Sequence, residues 1–134
     1  MENKDMEEIF WRNMAPEEMH HLRENGYFTR LKQGEVIFRK GERRMGVYLV
    51  ISGSIDLLDH NGAGQELYVR TLLPGEVLGE MGTFGSCPCE FTARAKTPTD
   101  LFKLETNALA SLAAHSPRTI SQVFVNVIGI ILKE

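Results

Sequence analysis

Apolar residues near the amino terminus recur at intervals of three or four positions, which is the spacing of one helix face. The residues with this spacing are Met6, Ile9, Phe10 and Met14. A second helix is predicted to begin at Pro16, because proline is favoured in the first turn and the two acidic residues that follow suit the helix dipole. The pair Asn25–Gly26 is predicted to end it.

Between residues 27 and 105 the pattern changes to short β-branched and aromatic runs, which are separated by turn dipeptides such as Asn61–Gly62. The predicted strands are Tyr27–Leu31, Val36–Arg39, Val47–Ile51, Ile55–His60, Leu67–Leu72, Phe91–Lys96 and Asp100–Leu104. Short strands at such regular spacing are typical of an antiparallel sandwich or barrel.

The last thirty residues return to a helical pattern. Asn107–His115 is rich in alanine and leucine, and Ser116–Pro117 is a start signal for a further helix. The apolar residues that share one face of that helix are Ile120, Val123, Phe124, Val127, Ile128 and Ile131. Because the segment is apolar on nearly every side, something must cover it. Its β-branched residues would also suit a strand.

Composition excludes several classes of function. The chain has 134 residues, which fits one domain, and its net charge of −3 gives no sign of a basic face for nucleic acids. The longest apolar stretch, Val123–Leu132, is too short to span a bilayer, and no signal-type apolar core begins the chain. Two cysteines separated by one residue do not form a disulfide framework, so we expect a reducing cytoplasm.

The segment from Gly75 to Ala95 carries the candidate chemistry. Its glycines at 75, 79 and 82 allow close backbone approach, and a short helix that begins at Glu80 would direct N–H groups toward an anion. It is neither a Walker loop nor a dinucleotide fingerprint. No catalytic motif occurs and the four histidines lack metal-ligand spacing, so we expect neither an enzyme nor a metal site.

Three segments resemble the cyclic-nucleotide-binding domain of catabolite-activator and Fnr regulators: Leu31–Glu42, Tyr48–Gly53 and Leu73–Gly82. The resemblance implies a mainly β fold with flanking helices, a double-stranded β-helix or jelly-roll. It implies one domain over residues 1–134. Within it we expect N-terminal helices in 1–26, a β-roll in 27–105 with a phosphate cassette in 75–95, and C-terminal helices in 106–134.

The resemblance also implies a ligand site. Glu80 occupies the position that binds the ribose 2′-hydroxyl, and Gly79 and the amides of Met81 and Gly82 match the backbone that holds the phosphate. We therefore expect a small-molecule effector, with cAMP or cGMP as candidates.

The family's cassette ends in an arginine that pairs with the cyclic phosphate, followed by a small residue. Here Cys89 and Glu90 occupy those two positions. Removing one partner of a buried charge pair costs about 2–5 kcal/mol. We therefore predict a degenerate phosphate site, with weak or altered ligand binding.

Other residues offer alternatives. Arg70 lies in the strand that lines the family's pocket and is a candidate cation for a different anion, although we favour a solvated strand arginine. Arg94 lies an odd number of positions after Cys89, so in a regular strand its side chain is expected to point to the opposite face. Cys87 and Cys89 raise a haem or redox role, which the residues support less than nucleotide sensing.

The C-terminal helix is the family's dimer seam and its lid over the ligand. We expect a homodimer through this helix, no membrane contact and no nucleic acid bound by this chain alone. The chain ends inside the helix, so we expect a fragment of a longer transcription regulator or a stand-alone sensor. The alternative is a dimerisation or scaffold module that has lost its ligand.

Overall fold

The computed structural model describes residues 9–43, 46–80 and 87–133. The helices are α1 (Pro16–Asn25), α2 (Thr106–His115) and α3 (Pro117–Lys133). The strands are β1 (Tyr27–Leu31), β2 (Val36–Phe38), β3 (Gly46–Ser52), β4 (Ile55–His60), β5 (Glu66–Leu72), β6 (Val77–Leu78), β7 (Thr92–Ala95) and β8 (Thr99–Glu105). This mainly β structure with flanking helices confirms the predicted fold class.

The strands form two antiparallel four-stranded sheets. The first has the order β1-β8-β3-β6 and the second β2-β7-β4-β5. Each predicted strand is present with small shifts at its ends, whereas β6 was not predicted. That strand has only two residues, Val77 and Leu78, which pair with Leu49 and Tyr48 of β3. A run this short carries no alternation for a sequence pattern to detect.

The first predicted helix requires a correction. Ile9 and Phe10 are helical, but residues 11–13 form a turn in which Asn13 has a φ of 59°. Met14 therefore lies outside that helix, and Met6 lies outside the described residues. Asparagine tolerates this left-handed conformation better than most residues do, which explains why the helix ends here despite the apolar spacing.

Two apolar clusters hold the fold together, and β3 contributes to both. Val47 and Leu49 belong to the cluster between the first sheet and the helices, while Tyr48 and Val50 belong to the cluster inside the roll. Alternate side chains of a strand point to opposite faces, so a strand between two cores is apolar throughout. Each fully buried side chain of this size contributes about 1.5–3 kcal/mol to folding.

Helix α3 is fixed to the amino-terminal segment through a buried polar residue. The Asn126 side chain, 3% exposed, donates from Nδ2 to the Phe10 and Arg12 carbonyl oxygens at 2.9 and 2.8 Å. Gln122 Nε2 donates to Asn126 Oδ1 at 2.9 Å. These bonds satisfy the buried amide and orient the helix about its axis.

That orientation corrects part of the predicted dimer seam. Val123 and Val127 are buried in the chain's own core, at 0% and 1% exposure, because the Asn126 face packs inward. Ile120 packs partly buried against the same cluster. The predicted seam residues with exposed apolar surface are Phe124, Ile128 and Ile131. Within the described ranges, no helix has the length and apolar character that crossing a membrane requires.

Candidate ligand-binding site

A pocket of about 190 Å³ is lined by residues of both sheets and of the segments that adjoin them. The residues that line it are Phe38, Leu57, Arg70, Leu72, Val77, Leu78, Gly79, Glu80, Cys89, Glu90 and Phe91. The pocket therefore brings together five of the candidate site residues, namely Arg70, Gly79, Glu80, Cys89 and Glu90. The other two, Met81 and Gly82, lie outside the described residues.

Gly79 allows the chain to pass close to β3 before it reaches Glu80. Its φ is 85°, and a Cβ atom built there would lie 2.2 Å from the Gly46 carbonyl oxygen. Only glycine fits this combination of left-handed backbone and close approach. The close passage brings Glu80 to the pocket directly after the β6 strand.

Cys89 lines the pocket and is buried, with 8% of its surface exposed. Its backbone N–H donates to the Glu42 carbonyl oxygen at 2.8 Å, and its own carbonyl accepts from the Gly41 N–H at 2.8 Å. These two bonds fix the backbone at position 89. The side chain packs in the apolar cluster of the roll, whereas the neighbouring Glu90 is exposed.

A β-bulge determines where Arg70 points. Leu57 is opposite Arg70, and Leu58 is opposite Tyr68, so Val69 is an extra residue in β5. The hydroxyl oxygens of Tyr68 and Thr71 lie 2.8 Å apart, which puts these two side chains on one face. Because the bulge resets the alternation, Arg70 shares the other face with the pocket-lining residue Leu72. Arg70 therefore lines the pocket, while its side chain is still 41% exposed to solvent.

A buried carboxylate lies beside Arg70. Arg70 Nη1 is 3.5 Å from Glu76 Oε1, and the Leu73 N–H donates to Glu76 Oε2 at 2.7 Å. Glu76 is 8% exposed, so the guanidinium offsets a charge that is costly to bury. Sequence reasoning missed Glu76, although its place after Pro74–Gly75 in a turn was visible.

Arg94 faces away from the pocket, as its position in the strand predicts. Its Nη1 and Nη2 atoms donate to the two carboxylate oxygens of Glu66 at 2.9 and 3.1 Å. This hydrogen bonding lowers the pKa of Glu66 below its ordinary value of 4.5. The flanking residues Ala93 and Ala95 are buried at 0% and 2% exposure, which fixes the alternation.

The two cysteines differ in their exposure to solvent. Cys87 is exposed and Cys89 is buried, and both are free of disulfides. In the part of the chain that the structure describes, no three His, Cys, Asp or Glu side chains come together in a way that could hold a metal ion.

Comparison with known proteins identifies the class. The family model for the cyclic nucleotide-binding domain matches residues 28–116, and this chain belongs to that family. The predicted resemblance is therefore confirmed. A curated relative, the cyclic AMP receptor protein of Thermus thermophilus, is 36% identical over 93 residues. The match covers 68% of this chain and 42% of that protein, so the chain spans less than half of that relative's length.

Solved structures share the fold. The Thermus thermophilus catabolite activator protein aligns with a TM-score of 0.76 and 26% identity, over 93% of this chain and 58% of that one. The regulatory subunit of a cAMP-independent protein kinase A from Trypanosoma brucei aligns, as a triple mutant bound to cAMP, with a TM-score of 0.75. The identity there is 20%, over 96% of this chain and 44% of that one.

Proposed function

We propose that this chain is a ligand-sensing regulatory domain with a degenerate phosphate site, in which cyclic nucleotides bind weakly or another ligand binds instead. One observation carries the proposal. Cys89 lines the same pocket as Gly79 and Glu80, at the position where the family resemblance implies an arginine. Among the other cassette positions that the structure describes, Gly79 and Glu80 are the residues that the resemblance implies, whereas Glu90 stands where it implies a small residue.

The chemistry of the substitution supports weak anion binding. An arginine presents a charged, planar fork to a phosphate, whereas a thiol is a weak, uncharged donor. Glu80 and Glu90 add two carboxylates to the lining. Losing the arginine's charge-assisted bonds costs about 2–5 kcal/mol, which is about thirty-fold to several thousand-fold in affinity.

The trypanosome kinase subunit suggests how to test this. That protein is described as cAMP-independent, and the mutant of it that is bound to cAMP includes a threonine-to-arginine substitution. We therefore choose substitutions that add an arginine at the cassette position of this chain.

The test is calorimetric titration of the wild-type protein and a Cys89→Arg, Glu90→Ser double variant with cAMP and with cGMP. We expect the double variant to bind at least one of them about tenfold or more tightly than the wild type. Cys87→Arg, Glu90→Ser is the matched control, because it makes the same change in net charge with the arginine at an exposed position two residues away. If the double variant and the control bind equally, the proposed defect at position 89 is wrong.

We further propose that residues 1–134 form a single domain that works as the sensor of a cytoplasmic transcription regulator. Its apolar surface at Phe124, Ile128 and Ile131 would meet the same surface of a second copy, as two-fold symmetry allows. A small-molecule effector in the pocket would then shift α3 and the dimer by favouring one of two arrangements.

The second candidate function is a dimerisation module without a ligand. The exposed apolar face of α3 favours it, because this surface does not depend on an occupied pocket. The same titrations distinguish the two functions. Saturable binding by the wild type supports sensing, and no binding below millimolar concentration supports the dimerisation module.

A further inference from the structure

We propose that Arg70 receives the phosphate of a cyclic nucleotide in this pocket and so compensates in part for the arginine that is missing at position 89. The inference rests on the proposed function, since it requires a nucleotide in the pocket. The ligand would be a cyclic phosphodiester with one negative charge. Arg70 would determine the specificity of the pocket for that charge.

The orientation of Arg70 is built into the backbone. The extra residue Val69 turns Arg70 to the inner face of β5, between Leu57 on the paired strand and Leu72 two residues along. Without the bulge, strict alternation from Tyr68 and Glu66 on the outer face would put position 69, and not position 70, on the inner face. Bulges that redirect a side chain in this way are common beside binding sites.

The Glu76 carboxylate holds the guanidinium in place. Glu76 is itself fixed by the Leu73 N–H at 2.7 Å, and its second oxygen lies 3.5 Å from Arg70 Nη1. A guanidinium has five N–H donors in a planar fork, so it can face a carboxylate on one edge and a phosphate on another. The ion pair restricts the motion of a side chain that is 41% exposed, which reduces the entropy lost when a ligand binds.

The charges of the pocket indicate which anion fits. Among the described lining residues, Arg70 is the one cation, and Glu80 and Glu90 are acidic. Arg70 is already shared with Glu76, so the surroundings of the pocket are acidic on balance. A terminal phosphate with two negative charges would therefore be repelled more strongly than a phosphodiester with one. We therefore expect the pocket to prefer cAMP over 5′-AMP.

The position of Arg70 also changes the expected pose. In the second sheet β4 lies between β5 and β7, so Arg70 approaches the pocket from a different side than Cys89, which precedes β7. The phosphate would lie nearer to β5 than the family cassette implies.

The test is calorimetric titration with three probes that differ in charge, namely cAMP, 5′-AMP and adenosine. Arg70→Gln should lower the affinity for cAMP by about tenfold while leaving that for adenosine unchanged, because only the charged ligand loses its partner. Arg70→Lys should retain part of the cAMP affinity. Arg94→Gln is the matched control, because it removes a strand arginine that faces away from the pocket.

A merely structural role for Arg70 would give a different pattern. The Arg70→Gln, Glu76→Gln double variant removes the buried charge together with its partner, and thermal unfolding checks that it folds. If Arg70→Gln or this double variant weakens cAMP and adenosine equally, or weakens neither, the inference is overturned. It is also overturned if the wild type fails to bind cAMP at millimolar concentration. In that case the Cys89→Arg, Glu90→Ser variant still decides the proposed function separately.

Discussion

The Arg70 guanidinium and the Glu76 carboxylate form an ion pair beside the pocket, with 3.5 Å between Nη1 and Oε1. Glu76 closes the turn that leads from β5 to β6, and the Leu73 N–H donates to its other oxygen. The pair therefore links the strand that carries Arg70 to the segment that carries Gly79. Because Glu76 is only 8% exposed, its carboxylate affects both the stability of the fold and the net charge beside the pocket.

Glu76→Ala should destabilise the protein by about 2 kcal/mol, because it removes both the turn hydrogen bond and the ion pair with Arg70. Urea unfolding measures the change. The control is Glu35→Ala, since Glu35 Oε1 accepts from the Lys32 N–H at 3.0 Å in a turn of the same shape, but at the surface. Equal losses in the two variants would mean that the burial of Glu76 contributes nothing.

Gly79→Ala should destabilise the protein by about 3 kcal/mol, because a positive φ and a backbone collision act together. The Cβ atom would lie 2.2 Å from the Gly46 carbonyl oxygen. The control is Gly64→Ala, where φ is 80° but no atom lies within 4 Å of the added Cβ, and it should cost about 1–2 kcal/mol. Thermal or urea unfolding of both variants checks the difference, and a Gly79→Ala variant as stable as Gly64→Ala would contradict it.

Ile128→Glu should convert a dimer into monomers, because it introduces a charge into an apolar surface that is 53% exposed in one chain. Light scattering after gel filtration measures the mass. Ser121→Glu is the control on the same helix, at an exposed position that is already polar. A wild-type protein that is monomeric at every concentration would contradict the proposed seam.

Acidification should weaken the outer-face pair of Arg94 and Glu66. Hydrogen bonding to Arg94 lowers the pKa of Glu66 below 4.5 in the folded state. The pair therefore contributes stability above the unfolded pKa, and that contribution is lost as the pH falls through the folded pKa. In the Arg94→Gln variant, NMR titration should find the Glu66 pKa closer to 4.5. An unchanged pKa in this variant would refute the assignment of the shift to Arg94.

The sequence predicted the strands well, because most of them alternate or run apolar between clear turn residues. It could not predict the inward orientation of Arg70, because the bulge at Val69 leaves no mark in the pattern of residue types. Alternation did predict the outward orientation of Arg94, whose strand pairs with β4 without interruption. The two arginines therefore differ in orientation because of the register in which their strands pair, and that register depends on contacts between residues far apart in the sequence.

The sequence also could not predict which side of α3 is buried. A helix that is apolar on nearly every side does not reveal which side faces its own core and which side faces a partner. The choice is made by Asn126, whose side chain reaches carbonyl oxygens more than a hundred positions earlier in the chain. The burial of Val123 and Val127 follows from that contact.

The affinity of the Cys89→Arg, Glu90→Ser variant for cAMP or cGMP, relative to that of the wild type, tests the central claim most directly. We predict that calorimetry will find a gain of about tenfold or more, because a charged fork would then face the phosphate. A wild-type protein that binds either nucleotide as tightly as the variant would contradict the account, since the pocket would then not need a guanidinium at position 89.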